Sequence, residues 1–215
     1  MKFALRVALP ALIYLGVACA NANAGTLTVQ VTDATGKPLV DVVVVADPVS
    51  PDAMPKAGKA ADIEQRGLKF LPLVSVIQTG SRVSFPNNDK VRHHIYSFSP
   101  AKKFDQKLYS GVAAAPQVFD KPGTVVLGCN IHDRMVAYVK VVESPFFAKT
   151  DAAGVARIEL PTPGKYKVSA WHYNLAAPAA EQAVALKVEA TAPLSFKLAI
   201  KPPAAELEAG GMGGH

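Results

Sequence analysis

Cys129, His132 and Met135 bring a thiolate, an imidazole and a thioether into one short run, Leu127-Gly128-Cys129-Asn130-Ile131-His132-Asp133-Arg134-Met135. Soft sulfur ligands combined with imidazole select copper. A type I, or blue, site takes one Cys and two His in a trigonal arrangement with a long axial Met. The C-x-x-H-x-x-M spacing therefore supplies three of four ligands, and the fourth must be a His from elsewhere. Phe85-Pro86-Asn87-Asn88-Asp89-Lys90-Val91-Arg92-His93-His94-Ile95-Tyr96-Ser97 offers it, with His93 as the expected ligand and His94 as the alternative.

Ligands so placed need rigid carriers. Arg82-Val83-Ser84-Phe85 alternates polar and apolar residues as a half-buried strand does, and leads to the His pair. Lys121-Pro122-Gly123 is a turn, Thr124-Val125-Val126-Leu127 is the strand that delivers Cys129, and Val136-Ala137-Tyr138-Val139-Lys140-Val141-Val142 is the strand that leaves the loop. Two strand ends joined by a tight loop suit a fixed ligand geometry.

These two regions resemble the cupredoxins, particularly amicyanin, pseudoazurin and plastocyanin, in which a strand ends in an Asn-containing turn before the first His and a later strand ends in the Cys-His-Met loop. The resemblance implies a Greek-key β-sandwich, one type I copper held by His93, Cys129, His132 and Met135, and single-electron transfer to a redox partner protein through a surface edge of His132. It places His93 at the ligand position, six residues after Asn87, and His94 where those proteins usually carry Asn. It also implies that Asn87 or Asn88 bonds across the two loops and steadies the thiolate. Exported proteins of this layout are often labelled plastocyanin-like or methylamine-utilisation proteins. One departure is Asp133-Arg134, where the small blue proteins often have Pro after the second His.

The N-terminus explains why the thiol is single. Residues 1–24 have the form of a signal peptide: Lys2 and Arg6 are the only charges, Val7 to Ala18 is apolar, and Ala22-Asn23-Ala24 is a small-x-small cleavage site. Lipid attachment at Cys19 is the lesser alternative, because Gly16 stands where that pattern usually has Leu. Cleavage removes Cys19, leaving Cys129 as the only thiol in a chain expected in the periplasm. There an odd Cys is intermolecular, reactive or a ligand. Beside His132 and Met135, ligand is the best of the three, the alternative being a buried Cys acting as a small hydrophobe.

The rest of the chain is also strand-rich, so the expected class is all-β. Leu27, Val29 and Val31 alternate with polar residues, Asp33 to Pro38 supplies a turn, and Val42-Val43-Val44-Val45 is a buried strand, together read as a hairpin. Ala46 to about Ala61 and Ser97 to Gly111 are expected loops. With about seven strands, residues 25–144 are assigned to a cupredoxin-like domain. Residues 145–200 form a smaller unit whose T-D-x-x-G … P-x-P-G-x-Y-x-V-x-x-W-H pattern resembles transthyretin-like or carboxypeptidase-regulatory β-sandwiches. The first hairpin has the same flavour, which blurs that boundary. Trp171 is expected to pack in a core or against the copper domain, and His172 to be exposed. Residues 201–215, with Met212 and His215, are expected to form a disordered tail.

Charge narrows the possibilities. The chain is +6; without Lys2 and Arg6, 21 basic residues face 17 acidic ones, or +4. Basic residues are scattered, which argues against nucleic acid, and no apolar run is long enough for a confident membrane span. Nothing in the sequence has the order of a hydrolytic triad, a paired-carboxylate site or a phosphate-binding Gly loop, so an electron carrier is expected rather than an enzyme. Copper delivery or storage would call for more Met/His clusters than the three Met after residue 24 provide. A non-metal adhesion or carbohydrate-binding sandwich is suggested only by the C-terminal unit.

Overall fold

The computed structural model describes residues 24–49, 58–110, 115–161, 164–176, 180–186 and 194–201. The expected signal segment apart from Ala24, with Cys19, and the tail residues Met212 and His215 lie outside them. Every named element is a strand, as the all-β expectation requires. The chain opens with β1 (Ala24–Asp33) and β2 (Val43–Pro48). It continues with β3 (Ala60–Asp62), β4 (Glu64–Gln65), β5 (Phe70–Leu71), β6 (Val74–Gln78), β7 (Ser81–Ser84), β8 (His93–Ser99), β9 (Lys102–Tyr109), β10 (Gln117–Phe119), β11 (Gly123–Gly128) and β12 (Val136–Val142). It closes with β13 (Phe147–Lys149), β14 (Val155–Pro161), β15 (Gly164–Trp171), β16 (Ala180–Leu186) and β17 (Leu194–Leu198).

Pairing divides these strands in a way that corrects the expected boundary at residue 144. β1 lies between β14 and β17, and β2 between β13 and β15, so the first two strands belong with the last five. They are not a hairpin. The Asp33 carboxylate accepts the N–H groups of Thr35 and Lys37 and makes the expected turn, but that turn carries the chain from one sheet into the other. β1 finds its partners far along the chain because its inward Leu27, Val29 and Val31 match the equally alternating Ala156, Ile158 and Leu160 of β14 in one core. Val42, Val44 and Ala46 fill that core from the β2 side, with Tyr166 and Val168 of β15.

Residues 60–142 are inserted between β2 and β13 as a second sandwich. Its sheets, ordered β10-β7-β3 and β6-β12-β11-β8-β9, share a core that includes Val83, Phe85 and Phe119 from one and Ile95, Leu127 and Val139 from the other. β9 occupies much of the segment expected to be a loop. It pairs with β8 at the sheet edge and turns Lys103, Asp105 and Lys107 to solvent. That charged face, suited to an edge strand, hides its strand character in the sequence.

The two sandwiches meet across β2. Val44, with Val42 just before the strand, serves the outer core, whereas Val43 and Val45 pack with Val74 of β6 and Val142 of β12. Trp171 borders this junction with Lys140 Nζ 5.2 Å above its ring, and Tyr138 stacks on Tyr173 at 4.7 Å. Lys149 donates to both Asp41 and the Val74 carbonyl, tying the two units together. Trp171 thus packs against the inserted unit as expected. His172 does not behave as expected: it is buried, with its Nδ1 accepting the Asn174 N–H at 3.1 Å.

Candidate metal centre

β8 turns the two histidines to opposite faces. Side chains alternate across a strand, so His93, Ile95 and Ser97 are buried while His94 and Tyr96 turn to the other face. His94 there contacts the Asp105 carboxylate of β9. His93, fully buried, points its Nδ1 at the Cys129 Sγ, 3.9 Å away.

The second arm comes from the end of β11. Gly128 is the last residue paired with both neighbours, with Tyr96 on β8 and with Val136 on β12. The chain then leaves the sheet as a closed loop. The Met135 N–H donates to the His132 carbonyl at 2.9 Å, and the Cys129 N–H donates to the Met135 carbonyl at 3.2 Å. These bonds fold the imidazole back over the thiol, and His132 Nδ1 lies 3.6 Å from Cys129 Sγ. The His93 and His132 rings meet edge to face with centroids 5.0 Å apart. Met135 is buried in the same core cluster as Cys129, whereas Asp133 and Arg134, between His132 and Met135, are exposed.

This spacing fits a metal. Nitrogen and sulfur ligands at about 2.0 and 2.3 Å from one ion, about 120° apart, lie about 3.7 Å from each other, close to the two separations found here. All three ligand atoms fall within 4.8 Å of one another. A set of one thiol and two imidazoles, with the Met135 thioether buried in the same core cluster, is of the donor type that suits copper.

The surrounding hydrogen bonds differ from expectation. Asn87 is buried, but its amide donates to the Val91 and Tyr109 carbonyls and its oxygen accepts the Asp89 N–H. It braces the His93 side and makes no bond to the Cys129 loop among those described. Asn88 donates to the Glu64 carboxylate, away from the thiol. A short polar side chain satisfies nearby backbone groups first, and the tight 87–91 turn puts such groups within reach.

Three residues that the sequence did not single out complete the surroundings. Asp89 Oδ2 lies 2.8 Å from His93 Nε2. Burial works to raise the Asp89 carboxyl, but hydrogen bonds from His93, Leu68 N–H and Gly67 N–H outweigh it and hold the group below the usual carboxylate range. Tyr109 donates its hydroxyl to the Phe85 carbonyl and accepts a bond from the Gln65 amide. Burial pushes its phenol up to about 12, against the Gln65 bond and with help from the nearby Cys129, so it stays protonated at neutral pH. Gln65 is fully buried, and its Oε1 has no hydrogen-bond partner among the described residues. The sequence signal for Asp89 was its place four residues before His93; Gln65 and Tyr109 gave none.

Solved structures similar to this chain include a purple cupredoxin from Nitrosopumilus maritimus, 26% identical over 38% of this chain and 99% of its own, with a TM-score of 0.35. A copper-containing nitrite reductase from Thermus scotoductus is 25% identical over 45% of this chain and 25% of its own, with a TM-score of 0.38. Amicyanin from Paracoccus versutus is 19% identical over 46% and 97%, with a TM-score of 0.36. No family model matches the chain, and no curated protein matches it. Among the described residues no helix is long and apolar enough to cross a membrane.

Proposed function

We propose that this protein is an exported type I copper protein that passes single electrons between redox partners in the periplasm. The observation that carries this reading is the pair of imidazole Nδ1 atoms, from His93 and His132, flanking the buried Cys129 sulfur at 3.9 and 3.6 Å. Copper supplies the Cu(I)/Cu(II) couple; the chain supplies the environment for it. Cys129 as thiolate, the His93 and His132 imidazoles and the Met135 thioether would hold the ion. The closed loop and the sheet ends hold these groups in place, which suits electron transfer with little rearrangement. His132 is only partly covered and follows the exposed Ile131, which makes its edge the route to a partner. Nitrite reduction belongs to the Thermus scotoductus protein; an electron carrier is the reading favoured for this one.

Adding Cu(II) to the purified mature protein tests the proposal. An intense visible thiolate-to-copper band is expected, and Cys129→Ser should abolish it. A pale solution with an ordinary tetragonal EPR signal would sink the electron-carrier reading.

A further inference from the structure

Asp89 links the buried ligand to a turn on a different part of the fold. β4 and β5 are joined by Gly67 and Leu68, both at positive φ (63° and 58°), with the Arg66 N–H donating to the Lys69 carbonyl. This is the mirror-image two-residue turn of a tight hairpin, and a Leu in the left-handed region costs about 1–2 kcal/mol. The Asp89 carboxylate accepts the N–H groups of both residues, at 2.6 and 3.0 Å, while the same Oδ2 that meets Leu68 also meets His93 Nε2. Its own N–H is held by Asn87. The carboxylate is therefore fixed by two backbone donors, and the Asp89 backbone by Asn87, before it reaches the imidazole.

A carboxylate accepts and does not donate. Its partner on His93 must then be Nε2–H, and in the neutral imidazole this leaves the Nδ1 lone pair directed at Cys129. We propose that Asp89 is the positioning residue of the site: it sets the tautomer and orientation of His93 in the metal-free protein and places a negative charge one imidazole away from the ion, favouring the oxidised form. The second half rests on the copper reading above; the first does not. Carboxylates behind ligand imidazoles raise ligand basicity and affect metal affinity about 10- to 100-fold.

The test uses the full mature chain with Asp89→Ala and Asp89→Asn, each checked for folding by circular dichroism. Long-range proton–nitrogen NMR of the metal-free protein at neutral pH should show His93 wholly as the Nε2–H tautomer in the wild type and as a mixture in Asp89→Ala. Cu(II) and Cu(I) titrations should show Asp89→Asn losing about tenfold more affinity for Cu(II) than for Cu(I), which corresponds to a rise of about 59 mV in potential. A single Nε2–H tautomer in Asp89→Ala, or an unchanged Cu(II)/Cu(I) affinity ratio in Asp89→Asn, overturns the proposal. If Asp89→Ala fails to fold, Asp89→Asn carries both measurements. A wild type that never develops the thiolate band defeats the copper reading alone, and the tautomer measurement then decides the role of Asp89.

Discussion

At the scale of single residues, the site separates groups that look equivalent in sequence. His93 and His94 are adjacent and chemically identical, yet one faces Cys129 and the other Asp105. His93→Ala is therefore expected to abolish the thiolate-to-copper band and His94→Ala to leave it in place, as visible titration with Cu(II) will read. Bleaching by the His94 variant alone would reverse the assignment. That Cys129 and His132 come together was legible because their spacing lies within one loop. The choice of His93 needed only the strand period once β8 was known to start there. The role given to Asn87 was not legible, since the bonds of a turn Asn depend on which carbonyls the turn presents. Asp89 was hidden for a related reason: its value comes from Gly67 and Leu68, which sequence distance does not connect to it.

At the scale of elements, β12 came through from alternation and β11 from the turn before it, whereas β9 did not because its exposed side is charged. His172, at the end of β15, shows the same difficulty from the other side. A polar residue following Trp171 looked exposed, but it is buried against Tyr173 with the Asn174 N–H bonded to its Nδ1. Burial lowers its pKa below 6.5, with Asp41 opposing the effect. A His held neutral in the fold contributes stability that is present above its unfolded pKa and lost as pH falls through the lower folded value. Urea midpoints should accordingly drop from neutral to mildly acid pH in the wild type, and drop less in His172→Gln. Equal slopes for both proteins would show that this imidazole carries no such linkage.

At the scale of the molecule, the two sandwiches share β2 and a ring-lined seam, so events at the metal should be felt in the outer unit. An ion that binds only the folded state stabilises it by about 2.7 kcal/mol at a hundredfold excess over its dissociation constant. Trp171, the single tryptophan, sits on the seam with Lys140 above it. Its fluorescence midpoint in denaturant should move upward when Cu(II) is added, and should not move in Cys129→Ser. A midpoint indifferent to copper would mean that the seam transmits nothing. The sandwich classes of both units were readable from strand periodicity, but the nesting of one inside the other was not, because the apolar alternation of β1 fits any matching strand and its partners lie more than a hundred residues away.

That nesting also sets an order of events during synthesis. All ten strands of the inserted unit are contiguous, ending at Val142, whereas β1 cannot complete its sheet until β14 exists; the Thr26–Glu159 hydrogen bond spans 133 positions. Near pairings close at a smaller entropy cost than distant ones and form faster. As the chain emerges from its N-terminus, the inserted unit can mature while the first two strands wait unpaired, so the segment that needs the longest protection from aggregation is the valine run of β2 rather than the thiol.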